Sequence, residues 1–429
     1  MKFEDILITH ADGKRYAKQS GDKNLIHTDE ISGYNSIYGE KICHGSNVLD
    51  KFLKIFLKKK KINHLKYIFI KFNRHLSYNK KIKIIKKKNN QINLIQKKIL
   101  RATIFFGKEK ENKGKLDIKL KKYKYFAIKK VDKKISNEKR ISKLLGNISY
   151  HAGMIFPGKN SIINSIQIYN YIKKDSIKDG IYTKIIKEGY PFVQNYLKSK
   201  NILIEFETLV RPSLKILNNK INRDLLNRIK KLENKKIFII GGSGGIGTDL
   251  IKIFLNNKNI KIFASYFKNK IDIKNNNIHL IKINILKDQK KVINLINKEN
   301  IDFVYYLPTP KISLYPNKDQ KNLYVKMYVK IPLEILKNTN KKSILNFFYP
   351  STIYINNENS DSYYAKAKLS AEKKLMNITK KSKCLKLNMP RLPKLNTKQN
   401  LNILNLRFPT LIELLNKNKR LQKSFFFTN

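Results

Sequence analysis

Cysteine is nearly missing from this chain. Only Cys43 and Cys384 occur in 429 residues, which excludes a disulfide scaffold and a multi-cysteine zinc site. Long apolar runs are missing too. No stretch approaches the roughly 18 consecutive apolar residues of a membrane span, so no membrane is expected as a partner. The opening segment, residues 1–10, carries acidic residues and no apolar core. It does not read as a signal peptide, and a cytoplasmic protein is expected. Acidic residues are scarce: 31 Asp and Glu stand against 91 Lys and Arg, a formal net charge of +60. Within the basic set arginine is the minor partner, although its planar fork is what recognises phosphates and guanine in a bidentate way.

What is present is ample apolar material. Hydrophobic residues make up 41 % and aromatics 10 %, enough to bury real cores. The length suits two or three domains. A charge of +60 invites a nucleic-acid reading. Against it, the lysines are spread over the whole length and mixed with Ile and Asn, the composition that A/T-rich coding produces by default. Nucleic acid is therefore not expected as a partner, and a lysine-rich nucleic-acid-binding protein is the remotest reading.

Three segments emerge along the chain. In residues 1–130, a turn-rich stretch with histidines precedes an apolar run, Val48–Leu57, that reads as a helix. Strand-like runs follow at Tyr67–Phe72, Ile82–Ile85, Ile92–Ile95 and Ala102–Phe106. Residues 139–213 repeat a similar order: the Gly153–Gly158 stretch is expected to precede a helix-like apolar segment, and Ile202–Val210 reads as a strand. Residues 214–234 read as an amphipathic linker helix. From residue 235 to 429 the pattern becomes strand, glycine loop, helix, strand, the mark of a parallel α/β sheet.

In that last segment, Lys236–Ile240 is a short β-branched run and Gly241-Gly242-Ser243-Gly244-Gly245-Ile246-Gly247 follows at once, before a helix expected over Thr248–Leu255. Glycines there let the backbone approach a pyrophosphate, and the helix start favours its charge. The Gly241, Gly245 and Gly247 spacing resembles the short-chain dehydrogenase/reductase family, in which this loop holds NAD(P). The family also uses a Tyr-x-x-x-Lys pair with an upstream Ser. Tyr364 and Lys368 fit, and Ser351 lies 13 residues before Tyr364. The resemblance implies a Rossmann-type doubly wound sheet. It implies cofactor contacts from Gly241, Ser243, Gly245, Ile246 and Gly247, and a Tyr364 whose pKa is lowered by Lys368 one helical turn away, with Ser351 bonding the same substrate oxygen. No acidic residue follows the second strand; Tyr266 and Lys268 stand there, which favours NADP(H) over NAD(H). The sequence departs from the family at Ile240, where a Thr is usual, and at Tyr328, where an Asn is common.

The run Ser20-Gly21-Asp22-Lys23-Asn24-Leu25-Ile26-His27, with His44-Gly45 downstream, resembles the MaoC-like (R)-specific enoyl thioester hydratases of the hot-dog fold, with Leu25 in place of the family's Pro. The resemblance implies that Asp22 and His27 share the attacking water, Asp22 as base. Asn24 would orient the loop, and the Gly45 N–H would serve the thioester oxygen. Residues 139–213 carry no such motif and read as a second, degenerate repeat of a double hot-dog. The fold class expected is thus an α+β hot-dog, doubled, followed by a Rossmann-type sheet. The combination implies hydration or dehydration of enoyl and 3-hydroxyacyl thioesters together with reduction of 3-oxoacyl thioesters. The substrate would be an acyl-CoA or acyl-carrier-protein thioester, and the assembly a homo-oligomer. The alternative is a hydratase whose reductase segment is inactive or serves another substrate, such as a nucleotide sugar. No metal is expected at either site.

Overall fold

A computed structural model of the chain describes residues 3–36, 38–59, 67–87, 90–107, 123–129, 136–158, 161–170, 178–185, 192–200, 202–210, 220–273, 275–310, 312, 318–340, 344–356, 362–397, 400 and 408–428. The chain forms two compact units that divide between residues 213 and 214.

The first unit opens with three helices, α1 (His10–Ser20), α2 (Leu25–Thr28) and α3 (Glu30–Asn35). Thr9 and Asp12 close a capping box on α1, satisfying two N–H groups that a helix start leaves open. Gly21 ends α1 at φ 84°, a left-handed conformation suited to glycine. The long helix α4 (Gly45–Lys59) then buries Val48, Leu49, Phe52, Leu53 and Phe56 along one stripe, as a core-facing helix does. Five strands follow: β1 (Tyr67–Phe72), β2 (Lys83–Lys86), β3 (Gln91–Gln96), β4 (Ile99–Gly107) and the short β5 (Lys124–Phe126). After these come α5 (Asn137–Tyr150), a π-helical turn His151–Ile155, and β6 (Ser161–Asn170), β7 (Gly180–Ile185), β8 (Phe192–Ser199) and β9 (Ile202–Val210).

These strands make one antiparallel sheet in the order β2-β3-β4-β1-β6-β9-β8-β7-β5. Its two halves repeat one connectivity. A long helix leads to a strand; a three-stranded meander follows and brings its last strand back against the first. β4 returns to β1, β9 returns to β6, and β1 pairs with β6 at the centre. Helices α4 and α5 both supply residues to a single core with the central strands, including Phe52, Leu145, Ile148, Ile70, Ile166 and Phe206.

One expectation is corrected here. The segment after Gly158 is a strand, β6, and the helix of this half precedes the Gly/Pro stretch. Ile166 and Ile168 are buried while Gln167 between them is not, a period of two that a pleated strand needs and a helix does not.

The second unit contains α6 (Arg223–Lys230), β10 (Lys236–Ile240), α7 (Gly245–Phe254), β11 (Lys261–Tyr266), β12 (Ile278–Lys282), α8 (Gln289–Glu299), β13 (Phe303–Tyr306), α9 (Lys318–Val325), α10 (Ile331–Asn338), β14 (Leu345–Phe348), β15 (Ser351–Thr352), α11 (Tyr363–Lys380), β16 (Leu385–Asn388), β17 (Arg391–Leu392), α12 (Leu411–Lys417) and α13 (Lys419–Phe426). A π-helical stretch, Lys326–Lys330, joins α9 to α10. Helix α6 lies within the segment read as a linker, and buries Leu225 and Ile229 in this unit's core; residues 214–219 of that segment, like Arg211 and Pro212 before it, lie outside the described residues.

Six strands pair in parallel in the order β12-β11-β10-β13-β14-β16. Numbered within this sheet, the order is 3-2-1-4-5-6, the doubly wound Rossmann-type order. Both faces are covered, as parallel sheets require. Phe238 and Ile240 of β10 enter one core, and Ile237 and Ile239 enter the other. No described helix is long and apolar enough to cross a membrane.

Candidate active sites

The first site is built on the turn that leaves α1. Asp22 is 3 % exposed, Asn24 2 % and His44 1 %. Burying an ionisable carboxyl needs compensation, and three elements provide it. The Ser149 hydroxyl on α5 donates to Asp22 Oδ2 at 2.7 Å. The Asn24 N–H donates to Asp22 Oδ1 at 3.1 Å. His44 Nε2 lies 3.8 Å from Oδ2 and donates to the Asp22 carbonyl at 3.3 Å. Asn24 also begins α2 and sends its amide to the Ser161 carbonyl at 3.2 Å, so the loop is pinned to the second half of the sheet.

His27 Nδ1–H donates to the Ile42 carbonyl at 2.9 Å. That bond sets the tautomer and leaves the lone pair on Nε2. The His27 ring stacks on His44 at 3.9 Å between centroids. Burial, and then the neighbouring His27, hold the His44 imidazole well below its ordinary pKa of 6.5, so His44 is neutral. Its Nδ1 accepts from the Tyr78 hydroxyl at 3.4 Å. Asp22, His27 and His44 each bring a ligand-type atom within 4.8 Å of the others. A water bonded to two such atoms can span up to about 5.5 Å, so atoms within 4.8 Å of one another are within reach of one shared water. The trio also has the donor types of a cation site, with His27 Nδ1 and His44 Nε2 already spent on carbonyls. Gly45 is the first residue of α4, among the amides a helix start leaves without intrahelical partners. A Cβ there would stand 3.0 Å from the Phe72 ring.

The structure therefore brings Asp22, Asn24, His27 and Gly45 into one neighbourhood. It also adds what sequence reasoning missed: Ser149, and Gly153, whose hypothetical Cβ would stand 2.2 Å from Asp22 Oδ1. Both come from the half read as degenerate. The available signal was a polar residue, Ser149, beside Leu145 and Ile148 on the buried stripe of α5.

The second site starts at the turn between β10 and α7. Gly241 adopts φ 84°, and a Cβ there would stand 3.1 Å from the Pro308 nitrogen. A Cβ at Gly247 would stand 2.6 Å from Gly242 Cα, so the helix and the turn approach as only glycine permits. The Gly241 N–H donates to Ser265 Oγ at 2.8 Å, tying the turn to β11. Helix α7 starts after Gly244 without a side-chain cap, and Gly245 is exposed while Ser243 and Ile246 are partly so. This cradle fits a dinucleotide pyrophosphate. Tyr266 is half-buried and Lys268 exposed just beyond β11.

Tyr364 and Lys368 lie one turn apart on α11, as expected, but their head groups do not meet. Lys368, 6 % exposed, donates to the Pro350 carbonyl at 2.6 Å. Its ammonium sits between the faces of Tyr349, at 4.2 Å, and Tyr328, at 4.5 Å. Burial pulls Lys368 down to about 7, with Glu372 opposing. Burial also pushes the Tyr364 hydroxyl above its ordinary 10, with the Thr352 hydroxyl opposing. The lowered Tyr364 pKa expected from the i, i+4 spacing is thus corrected: burial raises the hydroxyl, and Lys368 is not among the groups that act on it. Ser351 Oγ on β15 is buried and helps to hold the Glu372 carboxyl below its ordinary pKa. Tyr328, fully buried in the π-helical stretch, meets the Thr309 hydroxyl and packs edge-on against Tyr364 at 5.5 Å.

No family model matches the chain, and no curated protein matches it. Solved structures do. A short-chain dehydrogenase from Burkholderia cenocepacia with NADP is 11 % identical over 42 % of this chain and 80 % of its own, with a TM-score of 0.38. A short-chain dehydrogenase from Leptospira borgpetersenii with NAD+ is 16 % identical over 42 % and 78 %, at 0.34. The UDP-glucuronic acid 4-epimerase of Bacillus cereus with NAD is 21 % identical over 37 % and 56 %, at 0.30. With scores below 0.5, the fold of the second unit is argued from its own strand order, and its chemistry from its own residues.

Proposed function

We propose that the chain is an acyl-thioester enzyme with two active sites. The first adds water to, or removes it from, an enoyl or 3-hydroxyacyl thioester. The second takes the 3-oxoacyl/3-hydroxyacyl step with NADP(H). The observation that carries the proposal is the buried Asp22–His27 pair, poised to share one water and held by Ser149, Asn24 and the Ile42 carbonyl. The repeated helix-plus-meander of the first unit supports reading it as a double hot-dog.

In the hydration direction, a water between the Asp22 carboxylate and His27 Nε2 would add its oxygen to the β-carbon. Its proton would pass to that pair, and the α-carbon would take a proton from it, so that H and OH are added in balance. The Gly45 N–H would steady the thioester oxygen as negative charge builds there. In the second unit, Gly241, Ser243, Gly245, Ile246 and Gly247 would cradle the cofactor pyrophosphate, with Tyr266 and Lys268 at its ribose end. Bound there, a reduced nicotinamide supplies hydride. Tyr364 would hold and move the proton of the substrate oxygen, and Ser351 would bond the same atom.

A second reading has its own support. Lys368 is committed to Pro350 and to two tyrosine rings, which favours a second unit that holds a nucleotide without reducing a thioester. Crotonyl-CoA is the first test. The wild type is expected to deplete its enoyl absorbance, and Asp22→Asn to slow this by about 10³-fold. Turnover that survives the substitution removes Asp22 as base. Acetoacetyl-CoA with NADPH is the second. Oxidation of NADPH supports the two-site enzyme; binding of NADPH without oxidation supports the second reading.

A further inference from the structure

Behind the hydratase pair runs a buried polar ladder that neither proposed reaction uses. Helix α5 ends in the π-helical turn, and this end of the helix meets Asp22 twice. The Ser149 hydroxyl bonds Oδ2, and Gly153 comes so close to Oδ1 that a methyl there would stand 2.2 Å away. His151 lies between the two. A step of two residues along a helix turns the side chain by about 200°, so His151 faces the sheet instead. Its Nε2 meets the Thr183 hydroxyl on β7 at 3.0 Å. That hydroxyl donates to Asn195 Oδ1 on β8 at 2.8 Å, which leaves His151 Nε2–H as the donor to Thr183. The Asn195 amide donates onward to the Thr208 hydroxyl and the Phe206 carbonyl of β9, both at 3.3 Å.

His151, Thr183, Asn195 and Thr208 are all buried, and Thr183 and Asn195 are direct cross-strand partners. The matching strands of the first half, β3 and β4, bury Ile92, Leu94, Ala102 and Ile104 in the core instead. Apolar side chains are therefore enough to build a half of this sheet, and burying polar ones costs free energy until each is bonded. A fully bonded network in return fixes a single arrangement. Burial holds the His151 imidazole down at about 4, with Asn195 opposing, so the ring is neutral and has one N–H for one acceptor. Phe126 and Phe206 enclose it edge-on, at 4.7 and 6.2 Å. The backbone of the turn is pinned at the same place. The Phe156 N–H donates to the His151 carbonyl at 2.8 Å, and the Gly158 N–H and the Ser161 hydroxyl both bond the Ala152 carbonyl. The end of α5 is thus clamped, with Asp22 on one side and the ladder on the other.

We propose that His151 is a positioning residue for the first site: bonded to Thr183, it seats the end of α5 so that Ser149 and Gly153 hold the Asp22 carboxylate beside His27. His151 acts through that turn and not on the reacting atoms. This role rests on the hydratase reading above, and it extends the machinery of that site to β7, β8 and β9 of the half without a catalytic motif.

Crotonyl-CoA hydration by the full chain tests the role. His151→Leu removes the donor and keeps an apolar side chain between the two rings. Its kcat per folded molecule is expected to fall on the order of tenfold, less than the roughly 100-fold that a 1 Å misplacement costs, while KM stays within about twofold. Thr183→Val takes away the acceptor from the other side and is expected to do the same; Thr183→Ser returns the hydroxyl and is expected to restore kcat. In a Ser149→Ala background His151→Leu is expected to cost clearly less than it does alone, because both changes reach the rate through one carboxylate. A residue that serves stability alone leaves kcat per folded molecule where it was. That result, or a loss that simply adds to the loss from Ser149→Ala, overturns the positioning role. Should His151→Leu show no cooperative melt, the Thr183 pair decides: a drop in Val that Ser recovers supports the role, and equal kcat in both overturns it. A wild type that hydrates nothing removes the hydratase reading and this role with it, whereas an active wild type with an equally active His151→Leu overturns the role alone.

Discussion

The two candidate sites use the same economy of residues and reach opposite states of assembly. Around Asp22, the Asn24 N–H at the start of α2 and the Ser149 hydroxyl on α5 both donate to one carboxylate, with His44 Nε2 at 3.8 Å. Around Tyr364, the partner that should tune it has turned away: Lys368 bonds Pro350 and is flanked by Tyr328 and Tyr349. Short polar side chains on a rigid turn have few places to go. A lysine has four rotatable carbons, and its position is set by whatever acceptor and aromatic faces the fold offers. Residue identity at the right spacing is thus strong evidence for the first kind of site and weaker for the second.

The largest expected effect beyond Asp22 itself comes from Gly153. It belongs to the half without a catalytic motif, and an added methyl would stand 2.2 Å from Asp22 Oδ1. Something must move, and displacing a catalytic group by about 1 Å costs on the order of 100-fold in rate. Gly153→Ala is expected to lose that much crotonyl-CoA hydration while keeping a cooperative melt, at an overpacking cost of about 1–3 kcal/mol. Full activity in this variant would break the claim that both halves build the first site.

Much of this was legible before the structure. Strands at Tyr67–Phe72, Ile202–Val210 and Lys236–Ile240 fall where their β-branched runs put them, because each run is bounded by turn residues. Asp22, Asn24 and His27 lie within six residues, on the turn after α1 and the short helix α2, so local spacing is enough to bring them together. Ser149 lies 127 residues from Asp22, and no local pattern joins them. The segment after Gly158 misleads because its polar interruption, Asn164-Ser165, falls where the strand register shifts, blurring a period of two. The Lys368 geometry depends on the Pro350 carbonyl, which only tertiary packing positions.

Lys368 gives the next largest effect. Its pKa is lowered from 10.5 to about 7, so between these values the unfolded chain binds a proton that the folded chain does not. Stability then rises with pH across that window, and the cost of the buried group is greatest at pH 7 and below. The corresponding ceiling is about 5 kcal/mol, offset by the Pro350 bond and the two rings. Lys368→Met is expected to raise the melting temperature at pH 7 by several degrees and to abolish the rise between pH 7 and 10. Melting curves at pH 6, 7, 8.5 and 10 test this. A variant that melts lower at pH 7 would show that the lysine is net stabilising, and one that keeps the alkaline rise would assign that rise to another group.

The smallest effect tests whether the second site takes a phosphorylated cofactor. Lys268 is exposed beyond β11, so its pull on a 2′-phosphate is a surface interaction, worth about 0.2–1 kcal/mol and weakened by salt. That corresponds to a change in affinity of at most about fivefold. Lys268→Ala should weaken NADPH by that factor, leave NADH unchanged, and lose the distinction at high ionic strength. Fluorescence titration of the full chain with both cofactors measures it. A wild type that binds the two equally would remove the 2′-phosphate from the second site, and with it the reason for a basic residue there. A parallel loss of both cofactors on substitution would instead assign Lys268 to a group they share, the pyrophosphate, and would move the positive charge of this site from the ribose end to the glycine turn.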